Sequence, residues 1–414
     1  MDSLTQIVLG AATGELILGR KLGNRAMIWG GVAGTIPDLD VFISIFVSPT
    51  TNLHVHRGLS HSLFFLTALS FLMAWLTFKL YPEGKNLRSS KWYKTIAIAF
   101  RVIFTLVMTF LLDFMFYFFI DYQWVKWILI ALVSMLSIWY IIRMYKDYNK
   151  DFYSFEHISY KSWTIFFIFT LLTHPLLDCF TVYGTQIFSP FTNMRVSWDN
   201  ISVVDPVYTF ALGLPIWLAS FFHRTSTTRF KLLILGVVLS SLYMMGTIYS
   251  KNKINKVLQD TITQKNIPAE RSMTNPTIFN SILWSATVQA KDSIYTGLYS
   301  LMDRESKFEL VGYPINNHLL QQIPSQDYTL QTIKWFSKGY YTVQQLEGDT
   351  LQINDLRYGT FGNRGGNEDE FIFKFKIYKD HDNNWQIDNK SQRPPNDNPR
   401  ELFTNLFKRM MGKK

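Results

Sequence analysis

Three short motifs place histidines and carboxylates beside or within apolar sequence. They are PDLD at 37–40, HRGLSH at 56–61 and THPLLD at 173–178. Imidazole and carboxylate groups together are a donor set for zinc, manganese or iron. An ionised carboxylate is costly in an apolar segment unless it is paired or binds a metal. The motifs therefore predict a metal site, with salt bridges to arginine, a plain His–Asp hydrogen bond or histidines reaching lipid headgroups as the alternatives.

The spacing within two of the motifs limits how they can bind one ion. His174 and Asp178 are four positions apart, so on a helix they share one face about 6 Å apart. His56 and His61 are five positions apart, about 140° around a helix. Both can face one ion only if 56–60 is a loop, with Ser60 as the N-cap of a helix that opens at His61.

The candidate site residues divide by expected role. The expected metal ligands are Asp38, His56, His61, His174, Asp178 and, deeper in the first helix and as a ligand or a support behind one, Glu15. This set exceeds one tetrahedral ion, so one or two divalent ions are expected, with zinc favoured over manganese or iron. Asp40 is the expected general base, and Arg57 and Arg195 are expected to hold an anionic group.

Apolar runs long enough to cross a bilayer must position these motifs. They lie near 62–80, 95–120, 124–142, 162–180, 204–222 and 231–250. Two weaker segments, 4–19 and 26–47, are short or broken by glycine and proline and carry acidic residues, which is typical of helices that line a cavity. The fold class expected is an α-helical polytopic membrane domain of about eight hydrophobic helices, residues 1–250.

Basic residues concentrate in four loops between the runs. These loops are 20–25, 79–94, 143–161 and 224–231. Under the positive-inside rule all four can lie on the cytoplasmic side, with the N-terminus and residues 251–414 outside. The first segment lacks the features of a cleaved signal peptide and is expected to be a retained helix. All three motifs then approach the outer face of the membrane.

The last part of the chain has a soluble composition. A polar helical connector is expected at 251–270, a small extracytoplasmic β-rich (α+β) domain at 271–400 and a basic tail at 401–414. No catalytic motif occurs there, and His318 and His381 are expected to be surface histidines. The single cysteine, Cys179, excludes an intramolecular disulfide.

The motifs also carry a family resemblance. PDLD, HRGLSH and THPLLDCFTVYGTQIFSP, within residues 1–210, resemble the YdjM-type family of bacterial inner-membrane proteins. The family is described as LexA-regulated, membrane-bound, metal-dependent hydrolases, so the resemblance implies that activity here. One position departs from the pattern: Gln6 follows Thr5 where many relatives have histidine, and glutamine is the weaker ligand.

The expected function is hydrolysis of an ester or phosphoester, with a phospholipid as one candidate, at the outer face of the inner membrane. The alternatives are an ion or metal transporter, with acids such as Glu15 and Asp113 along a path, and a non-catalytic membrane receptor. The net charge of +10 is dispersed over loops, which fits membrane orientation rather than nucleic acid. The rim of the site is expected around Trp198, Asp199 and Asp205, although Asp205 before Pro206 fits a helix N-cap equally well.

Overall fold

The computed structural model describes residues 1–80, 123–148, 158–360, 371–380, 384–388 and 399–413, together with a few positions between 98 and 113. Most of the predicted span 95–120 lies outside the described residues, as does His381. All three motifs lie within them, as does most of the C-terminal region.

Up to residue 264, the described part of the chain is mainly helical. Eight α-helices are described there: α1 (Ser3–Leu22), α2 (Asn24–Thr35), α3 (Pro49–Val55), α4 (Leu63–Leu80), α5 (Gln123–Tyr148), α6 (Tyr160–Asp178), α7 (Pro206–Ala219) and α8 (Thr227–Gln264). Two 3₁₀ segments, Pro37–Ile45 and Leu59–His61, flank α3. They carry PDLD and the end of HRGLSH.

Three of the described helices are long and apolar enough to cross a membrane: α4, the first part of α5, and α8. A fourth crossing would be formed by α2 with the 3₁₀ segment Pro37–Ile45, which is bent by 43° at Pro37. The break predicted in segment 26–47 is therefore present. Proline at that point lacks the N–H that would continue the ladder of the preceding helix.

Helices α1 and α2 form a hairpin whose backbones almost touch. A Cβ atom at Gly30 would overlap the carbonyl oxygen of Gly10, and one at Gly34 would overlap that of Gln6. Small residues at such a seam let two helices approach closely in a membrane. The seam brings the end of α2, and with it PDLD, against the start of α1.

The described residues between 271 and 388 form the β-rich domain, with two four-stranded antiparallel sheets. The first has the order β1 (Arg271–Pro276), β2 (Leu283–Gln289), β3 (Ser293–Ser300), β4 (Val311–Pro314). The second has the order β5 (Tyr341–Gln345), β6 (Leu351–Asp355), β7 (Lys374–Lys379), β8 (Trp385–Ile387). Helix α9 (Tyr328–Phe336) precedes β5, and its buried side chains join the second sheet in one apolar core.

The helical and β-rich regions contact each other at several points, and in two of these contacts a helix of the first region packs against the core of the β-rich domain. Helix α8 runs on from its apolar part and packs Ile254, Leu258 and Ile262 against the first sheet. Helix α3 packs against α9: Leu53 enters the core of the β-rich domain, and the His54 ring stacks on Trp335 with centroids 4.3 Å apart. The short helix α3 therefore connects the HRGLSH motif to the β-rich domain.

The segment predicted as a basic tail contains a helix, α10 (Pro399–Met410). Arg409 pairs with Asp303 through two contacts of 2.7 and 2.8 Å, and the Ser300 hydroxyl donates to the carbonyl of Met410. The end of α10 is therefore attached to the first sheet.

Candidate metal centre

Four side chains from three segments converge on one point. They are Asp38 from the 3₁₀ segment, His61 at the entry to α4, and His174 and Asp178 from the last turns of α6. His61, His174 and Asp178 are buried, whereas the Asp38 side chain is 17% exposed. One donor atom from each residue lies within 4.8 Å of every other.

The separations between the donor atoms fit one tetrahedral ion. The two histidine Nε2 atoms are 3.2 Å apart, and each lies 3.4–3.5 Å from an oxygen of Asp38 and from Oδ2 of Asp178. Metal–ligand distances of about 2.0–2.1 Å place the ligands of a tetrahedron about 3.3–3.4 Å apart. The five separations match the edges of such a tetrahedron.

The outer nitrogens of both rings indicate which atoms face that point. Nδ1 of His174 lies 2.6 Å from the carbonyl oxygen of Gly34, which accepts only, so Nδ1 carries the proton. Nδ1 of His61 lies 2.9 Å from the Ser60 hydroxyl and 3.3 Å from Asp40. Both Nε2 lone pairs then face two carboxylates, and a divalent cation satisfies all four donors at once.

Asp40 supports this group from outside. Its Oδ2 accepts from the backbone N–H of Arg57 and the hydroxyl of Ser60, both at 2.9 Å, and its Oδ1 lies 2.9 Å from Nδ1 of His56. A carboxylate behind a ligating histidine fixes its ring and increases its basicity. The general-base role predicted for Asp40 conflicts with these contacts, because its buried oxygens are already occupied.

His56 lies beside the four-residue cluster. Its ring is held by Asp40, its centroid is 6.4 Å from that of His61, and its side chain is 30% exposed. The loop predicted between the two histidines is present, but the expected cap is wrong: Ser62, whose hydroxyl accepts from the N–H of Phe65, caps α4. Ser60 instead turns inward to Asp40 and His61, which the spacing of HRGLSH did not reveal.

The second oxygen of Asp178 faces a different set of groups. The α-amino group of Met1 contacts it, the side-chain amide of Gln6 donates to it at 3.1 Å, and Arg57 lies 3.4 Å away. Among the described residues, Oε1 of Gln6 and Oδ2 of Asp178 are buried without a hydrogen-bond partner. Gln6 therefore packs against two of the candidate ligands, through its hydrogen bonds to Asp178 and to the carbonyl of His174.

Glu15 lies outside the cluster, contrary to the expectation for it. Its two oxygens bind Nε and Nη2 of Arg229, each at 2.6 Å, and both side chains are buried. Arg229 also donates to Asn24 and to the carbonyl of Phe222. This bidentate pair connects α1 to α8 and leaves neither oxygen for a metal.

The two arginines predicted to hold an anion have different surroundings. Arg57 lies between Asp178 and the ring of Tyr183; burial alone lowers its pKa, but Asp178 and other neighbours raise it, so the guanidinium stays charged. Arg195 donates to the carbonyls of Tyr183, Gly184 and Leu53, and burial lowers its pKa. Arg57 is thus the one of the two that contacts a candidate ligand.

The predicted rim residues also have defined partners. Asp199 lies 3.8 Å from Lys251, and the ring of Trp198 packs on Phe180. Asp205 caps α7 by accepting from the N–H of Tyr208, with Pro206 in the first turn, so the N-cap alternative is confirmed.

The comparisons with known proteins agree with the motifs. A family model described as YdjM inner membrane protein matches residues 1–126 and 126–254. These two matches include all four residues of the cluster. No curated protein and no solved structure matched the chain.

Proposed function

The chain belongs to the YdjM inner membrane protein family, and from this premise we propose that it is a membrane-bound, metal-dependent hydrolase of an ester or phosphoester. The observation that carries the proposal is the tetrahedral spacing of the donor atoms of Asp38, His61, His174 and Asp178. Zinc fits this donor set best, with manganese or iron as alternatives.

When bound, the ion would lower the pKa of a coordinated water and polarise the scissile group. The chain itself supplies the binding, the orientation and the proton transfer. Asp38 is the one partly exposed member of the cluster, so substrate and water would enter on its side. The four residues would hold the ion, and a fifth coordination position would be needed for that water.

His56 is the group best placed to move a proton. Asp40 orients it through Nδ1 at 2.9 Å, and its partly exposed ring lies next to His61. A histidine oriented by a carboxylate is a common arrangement for general acid–base catalysis. We assign this role to His56 and a positioning role to Asp40.

The surroundings of the cluster favour an amphiphilic substrate. The 3₁₀ segment that carries Asp38 also exposes apolar side chains, and Phe46, just beyond it, is 85% exposed. Phe191 is 79% exposed and packs edge-on against Phe64 at the start of α4. Acyl chains would lie along this apolar surface while Arg57 attracts an anionic headgroup.

We assign the site to the outer face of the inner membrane, with the β-rich domain on the same side. The basic loops support this orientation because all of them can be cytoplasmic at once. Transport is favoured less, because Arg229 occupies both oxygens of Glu15, an acid that an ion path would need free.

The test combines metal content with turnover. Purified full-length protein should contain about one equivalent of zinc, manganese or iron, and should hydrolyse bis(p-nitrophenyl) phosphate. His56→Gln should retain the metal and lose most of the turnover, as expected for a proton-transfer group that contributes about 10²–10⁴-fold. A wild type without stoichiometric metal, or with metal but no turnover on any ester or phosphoester probe, would refute the hydrolase.

A further inference from the structure

Five cationic and aromatic side chains continue from the metal centre into the β-rich domain as one column. The guanidinium carbons of Arg57 and Arg195 lie 4.9 and 4.3 Å from the ring centre of Tyr183. Arg195 and Arg357 lie 4.8 and 5.0 Å from the ring centre of Phe336. The two rings pack edge to face at 5.3 Å. We call this set the arginine column.

The column crosses the boundary between the two regions. Arg57 comes from HRGLSH, and Arg195 comes from the loop that follows α6. Phe336 ends α9, and Arg357 lies in a 3₁₀ turn after β6. All three arginines are at most 6% exposed. Cations taken out of water at this depth require compensation by anions or by hydrogen-bond acceptors.

The compensation that the described residues provide is incomplete. Arg357 has the carboxylate of Asp355, at 2.6 Å from Nη2, and Arg57 has Asp178, which the metal centre also uses. Arg195 forms no ion pair within the described part of the chain and donates only to main-chain carbonyls. Asp199, whose charge acts on Arg357, lies 3.8 Å from Lys251.

Three donors in and beside the column are also unused. Within the described residues, Nε of Arg57, Nη1 of Arg357 and the hydroxyl of Tyr358 are buried without a hydrogen-bond partner. Arg357 lies 5.4 Å from the centre of the Tyr358 ring, which stacks on Phe373. Leaving buried donors unpaired costs free energy, and donors to an anion would recover it.

We propose that the arginine column, with the Tyr358 hydroxyl, binds an oxyanion of phosphate type at the junction of the two regions. A phosphate group accepts several hydrogen bonds, and its negative charge would give Arg195 the anionic partner that the described residues do not provide. The β-rich domain then contributes to ligand binding, a role that its own sequence did not indicate. If the proposed function holds, this anion is the phosphate of the substrate headgroup, since Arg57 joins the column to Asp178.

The test measures phosphate binding by the full-length protein in detergent. The melting temperature is followed as inorganic phosphate is titrated at constant ionic strength, with chloride as the reference anion. Wild type should be stabilised to saturation, since a ligand that binds only the folded state raises its stability. Tyr358→Phe should fold as well as wild type, because no described residue forms a hydrogen bond with its hydroxyl, but it should bind phosphate at least about tenfold more weakly.

Tyr341→Phe is the matched control, because that hydroxyl donates to Asn317 within the same domain. It should leave the affinity for phosphate unchanged. No stabilisation of wild type by phosphate, or equal affinity in wild type and Tyr358→Phe, would overturn the proposal. Repeating the titration after metal chelation separates the two sites: binding that persists supports the column, and binding that disappears assigns the phosphate to the metal instead.

A second arm distinguishes the sources of the anion. Dihexanoyl phosphatidic acid is titrated beside inorganic phosphate. Tighter binding of the lipid, weakened by Tyr358→Phe, identifies a headgroup site. Phosphate binding without lipid binding identifies a site for the free anion. Phosphate binding to a protein without hydrolase activity would leave the column intact and refute only the proposed function.

Discussion

Two polar clusters that contain buried carboxylates lie along helix α1, and they differ in how the carboxylate charge is balanced. Near its start, Asp38 and Asp178 face two imidazole lone pairs, and one oxygen of Asp178 has no hydrogen-bond partner among the described residues. Near its other end, Glu15 is bound by Arg229 on both oxygens. The first cluster has the donor set and spacing to hold an external cation, whereas the second contains its own. The role of an acidic residue in an apolar region therefore depends on which groups lie next to its carboxylate.

The largest effect is expected from removing a ligand in the first cluster. His174→Ala should lose the metal almost completely, since it deletes one of the four donors, and should lose turnover with it. Elemental analysis of purified protein measures this. The exposed His318→Ala is the control and should keep the wild-type metal content. Equal metal in both variants would place the ion elsewhere.

Removing one partner in the second cluster should affect stability and not metal. Glu15→Gln leaves Arg229 buried with an unbalanced charge, which costs about 3–5 kcal/mol in comparable pairs. Unfolding of the detergent-solubilised protein in a denaturant series gives this difference. Arg229→Gln should cost a similar amount, and the double variant less than the sum of the two. Loss of metal in Glu15→Gln would contradict the division between the clusters.

A smaller effect on metal affinity is expected from Asp40, which supports the ligands of the first cluster. Asp40→Asn removes the carboxylate that orients His56 and lies 3.3 Å from His61, so metal affinity should fall by about 10–100-fold. Competition with a chelator of known affinity measures the change. Ser3→Ala, which removes a 3.1 Å hydrogen bond to the candidate ligand Asp38, is a useful companion, and an effect larger than that of Asp40→Asn would reverse the assigned order.

The smallest effect is expected at His54, a half-buried histidine whose surroundings disfavour the protonated ring. Burial and the charge of Arg195 lower the pKa of His54, whose ring lies against Trp335 and 3.0 Å from the Thr332 hydroxyl. The folded state therefore favours the neutral ring. Its contribution is complete above the unfolded-state pKa of about 6.5 and declines as the pH falls below that value.

Melting temperatures at pH 7.5 and pH 5.5 test this prediction. Wild type should lose more stability on acidification than His54→Phe, which keeps an aromatic ring but cannot take up a proton. Both proteins carry the remaining histidines, so only the difference between their losses is informative. An equal or greater loss in His54→Phe would show that protonation of His54 does not weaken the junction.

The sequence predicted the broad organisation and the convergence of the motifs. An apolar helical region followed by a β-rich one was readable from composition, and His174 and Asp178 share a face because they are four positions apart. The bend at Pro37 also followed from residue type. These inferences needed only local chemistry and helical periodicity.

The remaining features depended on contacts distant in sequence. The partner of Glu15 lies 214 positions away, and nothing in the first helix indicates it. His56 and His61 have the same residue type in one motif, yet the loop directs one ring into the cluster and the other toward Asp40. The carbonyl of Gly34, which orients His174, is a main-chain atom with no side-chain signature.

The length of helix α8 determines how the β-rich domain is rotated relative to the helical region. Its 38 residues extend about 57 Å, well beyond a hydrocarbon layer of about 30 Å, and end against the first sheet. The contact between α3 and α9 also connects the two regions. The length of α8 must therefore allow both contacts to form at the same time. One residue inserted after Lys251 would turn everything beyond it by about 100°, whereas seven would restore the facing side but lift it by about 10 Å. The length of one helix, counted in turns, thus determines whether Arg357 reaches the column that begins at the metal centre.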